Sequence, residues 1–270
     1  NTGSYGYSLE HRIEGYRMRQ LRLGRSDAKT ITVSFYVKSS IAGTYSTGLR
    51  TTGGETSFVK EFTLSANTWT LVSYTAPAQT ASLSSLDEGN GLGLIVDIVG
   101  LGKQTSKTTN TLNAWQSGNY LFSNNQVAWM DNANATLFVT GLQVEAGSTA
   151  TEFEHRSFAE ELALCERYFQ VITGTDIYSR YCMGIAWESS TCDGHMTMRT
   201  VMRANPTITL SGNFDCLGSP QVTGTTESAV HINTDNFSFR QTKSSAFTQN
   251  NAYLMRGYNN ASSFKMDADH

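Results

Sequence analysis

The residues best suited to chemistry in this chain are aromatic. Trp69, Trp115, Tyr120, Trp129 and Trp187 are the rings a ligand would use. Sugars bind by laying their C–H faces on exposed rings, whose π-faces carry negative charge density, while Asn, Gln and Asp side chains fix the hydroxyls. The run Trp115-Gln116-Ser117-Gly118-Asn119-Tyr120 combines both elements, and its polar, turn-rich character reads as a surface loop. Trp115, Asn119, Tyr120 and Trp129 are therefore the candidate ligand-binding residues. A bland reading competes with this one, because a tryptophan in a β-sandwich more often fills the core than forms a platform.

Other constellations are thinner. Glycoside cleavage needs an acid and a base on opposite sides of the bond. Glu145, Glu152 and Glu154 are close in sequence, but nothing in the sequence shows that they face a cleft. Glu14 and Glu145 are candidates to share a structural calcium between edge strands, since hard cations take carboxylate and carbonyl oxygens. No other cofactor is expected. The chain contains no GxSxG, HExxH, Walker or GxGxxG motif. Gly89, Gly91 and Gly93 approach a glycine-rich loop, yet no helix follows to cradle a phosphate. Asp193-Gly194-His195 reads as a surface turn, and Asp267, Asp269 and His270 as a frayed terminus. No enzymatic activity is expected.

Four cysteines stand at 165, 182, 192 and 216, with no CxxC spacing for zinc. Cys165 reads as a buried thiol on a helix, and Cys182 and Cys192 would face each other if a hairpin joined them. Arg12, Arg17, Arg19, Arg22 and Arg25 form a local basic stretch, diluted by Glu10 and Glu14. They read as solvated strand faces or, less simply, as an anion-binding patch. The chain as a whole has net charge -3. That balance gives no field to favour nucleic acid. No apolar run approaches the ~18 residues of a membrane span, so no membrane insertion is expected.

The elements that must position these residues are strands. Charged residues make up only 16% of the 270, and Ser, Thr, Asn and Gly supply about two-fifths. Ile31, Val33, Phe35 and Val37 alternate with Thr32, Ser34, Tyr36 and Lys38, a half-buried strand pattern. Phe58 to Leu64, Trp69 to Tyr74, Leu92 to Ile98 and 135–145 add strands, the last with Phe138, Leu142 and Val144 on one side. Ser157-Phe158-Ala159-Glu160 is a capping box. Phe158, Leu162, Cys165 and Phe169 follow at helical spacing, predicting a helix over about 157–170. Its apolar stripe needs a partner, either the adjoining domains or copies of itself. Strand signals return at 181–187, 196–202, 207–211, 229–232, 237–240 and 252–256. Strands without intervening helices indicate an antiparallel sandwich or barrel.

The stretch Thr140-Gly141-Leu142-Gln143-Val144-Glu145-Ala146-Gly147, continuing through Ala150-Thr151-Glu152-Phe153-Glu154-His155-Arg156 and Glu161-Leu162-Ala163-Leu164-Cys165-Glu166-Arg167-Tyr168-Phe169, resembles a junction found in tail fibre and related virion proteins of tailed bacteriophages. Leu9 to Gly15, Ala28 to Ser40, Asn113 to Tyr120 and Met202-Arg203-Ala204-Asn205-Pro206-Thr207 are similar to other segments of that family. Glu152 departs from it, standing where the family usually has proline. The family also carries an upstream segment. The chain opens Asn1-Thr2-Gly3-Ser4 without an initiator methionine, so it is expected to be a processed product or a piece of a longer polypeptide.

The resemblance implies an all-β chain in three parts. A jelly-roll, carbohydrate-binding-like β-sandwich would occupy 1–155, a linker helix 156–170, and a smaller antiparallel β domain 171–270. It implies a homotrimer, with Phe158, Leu162, Cys165 and Phe169 as the interface. It also implies a virion protein assembled in the bacterial cytoplasm with other virion proteins as partners. The expected function is a non-enzymatic tail-fibre receptor-binding protein that contacts host surface polysaccharide. A capsid decoration or head-fibre protein is the alternative, and a polysaccharide-cleaving tailspike is third.

Overall fold

A computed structural model describes residues 6–84, 92–176 and 178–268. Gly89, Gly91, Asp269 and His270, singled out in the sequence, lie outside them. The chain divides into two units, Asn1–His155 and Arg156–His270. Both are built of antiparallel strands, with one two-residue parallel pair.

The first unit contains β1 (Ser8–Glu14), α1 (Gly15–Met18), β2 (Ile31–Ser39), β3 (Gly43–Thr51), β4 (Thr56–Leu64), β5 (Thr70–Ala76), β6 (Leu92–Gly100), β7 (Thr108–Thr109), β8 (Trp115–Ser117), β9 (Phe122–Ser123) and β10 (Leu137–Ala146). A five-stranded sheet runs β1-β6-β3-β4-β8 and a three-stranded sheet runs β10-β2-β5. The two form a jelly-roll β-sandwich. Successive strand side chains point to opposite faces, so each strand commits alternate residues to the core. Ile31, Val33, Phe35 and Val37 are fully buried, as the alternation predicts. Ring pairs then tie sheet to sheet. Phe58 on β4 stacks on Tyr74 of β5 at 5.9 Å, and Phe35 on β2 meets Phe62 of β4 edge-on at 6.0 Å. Each fully buried side chain of this size contributes about 1.5–3 kcal/mol.

One expected facing is corrected. Phe138 points away from the core, while Leu137, Val139, Leu142 and Val144 pack against it. A β-bulge between Thr140 and Gln143 reverses the parity, with Gly141 at φ +63° in the left-handed region open to glycine.

The second unit opens with α2 (Phe158–Glu166), followed by β11 (Phe169–Thr173), β12 (Arg180–Glu188), β13 (Thr191–Thr197), β14 (Thr207–Leu217), β15 (Thr226–Val230), β16 (Asn236–Thr242) and β17 (Ala252–Asp267). The 16-residue β17 is the spine. It pairs with β14 along one edge and with β11 and β12 along the other, and the sheet continues β12-β13-β16-β15. Phe264 lies at the centre of the core, with ring centroids of Phe239, Tyr181 and Phe214 at 4.8, 4.9 and 5.1 Å.

Several expectations change here. The helix is shorter than its apolar spacing suggested, and Phe169 opens β11 instead. None of its residues is buried, so Cys165 is exposed, not a buried thiol. Its cap is as predicted: Ser157 Oγ accepts from Glu160 N–H, and the Glu160 carboxylate accepts from Ser157 N–H. Asp193-Gly194-His195 is no turn but the middle of β13. Gly194 is required there because a Cβ would lie 2.5 Å from Cys182 Sγ and Met255 Sδ. The β12–β13 register sets Cys192 opposite Ala186, not Cys182, and all four cysteines are free. The strand expected at 196–202 runs Thr191–Thr197, after which Met198 and Met202 N–H groups bond to the 234–235 loop.

Removing the Phe264 ring leaves a cavity among its neighbours. Phe264→Ala is expected to lower the unfolding free energy by about 3–5 kcal/mol, read from the urea midpoint. An unchanged midpoint would show that the core is not organised around this ring.

Candidate functional site

The four aromatic-loop candidates do not share one surface. Trp115 lies on the edge strand β8, half-buried against Phe58 at 5.8 Å, and its indole N–H donates to Pro77 O at 2.7 Å. Asn119 Oδ1 accepts from Arg50 Nη1 at 3.3 Å, and Tyr120 N–H donates to Ser57 Oγ at 3.2 Å. Trp129, also half-buried, donates its indole N–H to Ser39 Oγ at 3.0 Å. Antiparallel pairing of β2 with β5 puts Ile31 beside Ala76 and Val37 beside Thr70. Trp115 therefore sits at the Ile31 end of the three-stranded sheet and Trp129 at the Ser39 end. Trp115, Asn119 and Tyr120 are brought together; Trp129 is apart.

Asn119 belongs to a buried polar network on the outer side of the five-stranded sheet. Arg50 Nε and Nη2 donate to the two carboxylate oxygens of Asp97 at 2.8 and 3.1 Å, and Nη2 also reaches Glu10. Such bidentate pairs fix geometry as well as charge. Burial pushes the Asp97 carboxyl up to about 6, with the Arg50 hydrogen bonds and charge opposing the shift.

The junction motif has a structural meaning. After β10 the chain turns at Gly147 and runs back beside the strand. Thr151 donates N–H and hydroxyl to the Glu145 carboxylate, at 3.1 and 2.6 Å. Gln143 donates to Thr151 Oγ1 and Glu152 O and accepts from Glu154 N–H. The Thr151 and Gln143 bonds hold the Glu145 carboxyl below the usual range. Glu152 and Glu154 are exposed on the returning segment. Glu14 is buried, with Arg17 Nε 3.5 Å from its carboxylate. The two glutamates proposed to share calcium thus each have protein partners. Among the described residues, no three His, Cys, Asp or Glu side chains are grouped to hold a metal ion. Of the basic stretch, Arg19, Arg22 and Arg25 line an open cleft of about 410 Å³ with Gln20 and Lys29, and Arg22 pairs with Asp27. Arg12 instead pairs with Glu10.

An exposed aromatic face lies elsewhere, on the outer side of the three-stranded sheet. Lys38 is paired in register with Phe138, and Tyr36 with Thr140 and Leu71. Trp69 immediately precedes β5, with its ring 6.5 Å from Phe138. Lys38 Nζ stands 5.4 Å from the Trp69 centroid and 4.8 Å from that of Phe138. Phe153 extends the face past Tyr36, since a Cβ on Gly141 would touch both rings. Tyr36, Trp69, Leu71, Phe138 and Phe153 are each 42–55% exposed. Exposed aromatic side chains gathered on one face make this a candidate interaction surface. The alternation of residues 31–38 places Tyr36 and Lys38 on the outward side, and Trp69 is a candidate ring by type. Only the register of three strands joins them.

No protein-family profile and no curated protein matches the chain. Among solved structures, recombinant discoidin II of Dictyostelium discoideum aligns over 91% of this chain and 76% of its own, at 9% identity and a TM-score of 0.21. A superposition that loose assigns neither fold nor ligand, and the all-β sandwich rests on the strand pairing described above. Among the described residues, no helix is long and apolar enough to cross a membrane.

The Asp97 carboxyl gives a pH signature. Its folded value of about 6 lies above the ordinary 3.8, so between these values the folded state holds the extra proton. Stability is then fully present below that window and falls as pH rises through it. Urea midpoints measured from pH 4 to 7 are expected to show this decline, and Asp97→Asn to flatten it. A slope that survives in Asp97→Asn would assign it to another group.

Proposed function

We propose that this chain is a non-enzymatic virion fibre protein of a tailed bacteriophage whose first unit binds host surface polysaccharide. The observation that carries the binding role is the aromatic face of β10-β2-β5. Trp69, Tyr36 and Phe138 offer ring surface to sugar C–H groups. Thr140 and Ser73 on the same strands are exposed and supply hydroxyls. Trp115 and Trp129 have committed their indole N–H groups within the protein, which favours Trp69 as the anchor. The virion assignment is supported by the junction motif, whose Gln143, Glu145 and Thr151 form one interlocked turn. A binding role, not cleavage, fits a Glu145 carboxylate engaged by Thr151.

Whole-cell and glycan-array binding test the reading. Trp69→Ala and Tyr36→Ala are each expected to weaken binding by about tenfold, as truncated aromatic anchors do. Trp115→Ala is expected to have less effect on binding. Equal binding by wild type and Trp69→Ala would remove this face from the function. No reducing ends should be released from polysaccharide on incubation with the protein.

A homotrimer is part of the proposal. Phe158 is 81% exposed, and Leu162, Cys165 and Phe169 are exposed with it. The first three lie on α2 and Phe169 opens β11, and an exposed apolar surface of this kind gains by burial against copies of itself. Light scattering is expected to give three chains for the wild type and a lower mass for Phe158→Glu. Exposed Met183, Ile185 and Trp187 on β12 favour a second reading, a capsid decoration or head-fibre protein held by protein contacts. Antibody labelling of virions separates tail from capsid.

A further inference from the structure

The outward side chains of the three-stranded sheet are nearly all neutral. On β2 they are Thr32, Ser34, Tyr36 and Lys38, and on β5 Leu71, Ser73 and Thr75. On β10 they include Phe138, Thr140, Gln143 and Glu145. Only Lys38 and Glu145 in this set are charged, and they stand at opposite ends. Lys38 pairs with Phe138, whereas Glu145 pairs with Thr32, six residues along β2. At the rise of a strand that separation is roughly 20 Å. The Glu145 carboxylate is already engaged by Thr151 N–H and hydroxyl.

Lys38 is different. Its ammonium is held over the faces of Trp69 and Phe138, 5.4 and 4.8 Å from their centroids, and the side chain is half-buried. The rings displace water from two sides of the charge. No carboxylate among the described residues forms an ion pair with it. Attraction to an incoming anion strengthens as the local dielectric falls. A cation fixed between two stacking platforms thus presents its remaining open side to whatever the rings hold.

We infer that the glycan taken by this face is acidic, with a carboxylate seated at Lys38 Nζ while its sugar rings lie on Trp69 and Tyr36. The inference rests on the glycan-binding reading and names the class of ligand for that same face. Lys38 selects the charge; Trp69 and Tyr36 supply affinity that does not depend on it.

The test uses the full chain and matched polymers. Polygalacturonate, alginate and hyaluronan are immobilised alongside the same polymers after chemical reduction of their carboxylates to neutral alcohols. Binding is measured by biolayer interferometry at low and at physiological salt. The expected result is binding to at least one acidic polymer, weakened tenfold or more by carboxyl reduction. Lys38→Gln should lose that preference while keeping any residual binding to the neutral polymer, and Trp69→Ala should weaken binding to the acidic and the reduced polymer alike, by about tenfold. Salt should weaken the wild-type interaction and have little effect on Lys38→Gln. Equal binding to acidic and reduced polymers, or a preference unchanged in Lys38→Gln, would overturn the acidic assignment and leave the glycan reading standing. Binding to none of the six surfaces would count against both.

Discussion

The period-two geometry of β2 is the constraint on which the first unit depends. A strand in the middle of a sheet cannot choose its facings one residue at a time. Once Ile31, Val33, Phe35 and Val37 are driven into the core, Tyr36 and Lys38 must point outward. The neighbours follow by register: β5 brings Leu71 beside Tyr36, and β10 brings Phe138 beside Lys38. The aromatic face is thus the reverse side of the hydrophobic core.

The segment after β10 extends this logic. The bulge at Gly141 turns Phe138 outward and still returns Leu142 and Val144 to the core. Beyond Gly147 the chain has no strand partner, so side chains satisfy its backbone. Thr151 N–H finds Glu145, and Glu154 N–H finds Gln143. Gln143, Glu145, Gly147 and Thr151 thus each make or permit one bond of a single turn.

Local signals were legible in the sequence and non-local ones were not. The capping box and the buried side of β2 depend on residues within a few positions of each other, and both are found as read. β3 carries no alternating signal because Gly43–Thr51 puts only Tyr45 and Leu49 into the core as large apolar side chains, while Ser46, Gly48 and Arg50 are buried on the other side under polar partners. Alternation alone places Phe138 with Leu142, since a bulge leaves no mark in a hydrophobic pattern. The turn expected at Asp193-Gly194-His195 failed for a related reason: the glycine serves the approach of sulfur atoms from β12 and β17, not a change of direction. For the site, ring types could be singled out, but not which rings share a surface. That depends on which strand lies beside which.

The exposed position of Cys165 has a practical meaning. Cys192 and Cys216 are fully buried, and burial pushes the Cys182 thiol up to about 12. A thiol reacts as its thiolate and only where reagent can reach it. Cys165, exposed on the same stripe of α2 as Phe158 and Leu162, is then the cysteine that a maleimide dye would address in the unassembled chain, and packing of that stripe against copies would shield it. An environment-sensitive fluorophore placed there would report directly on whether the helix is covered or bare.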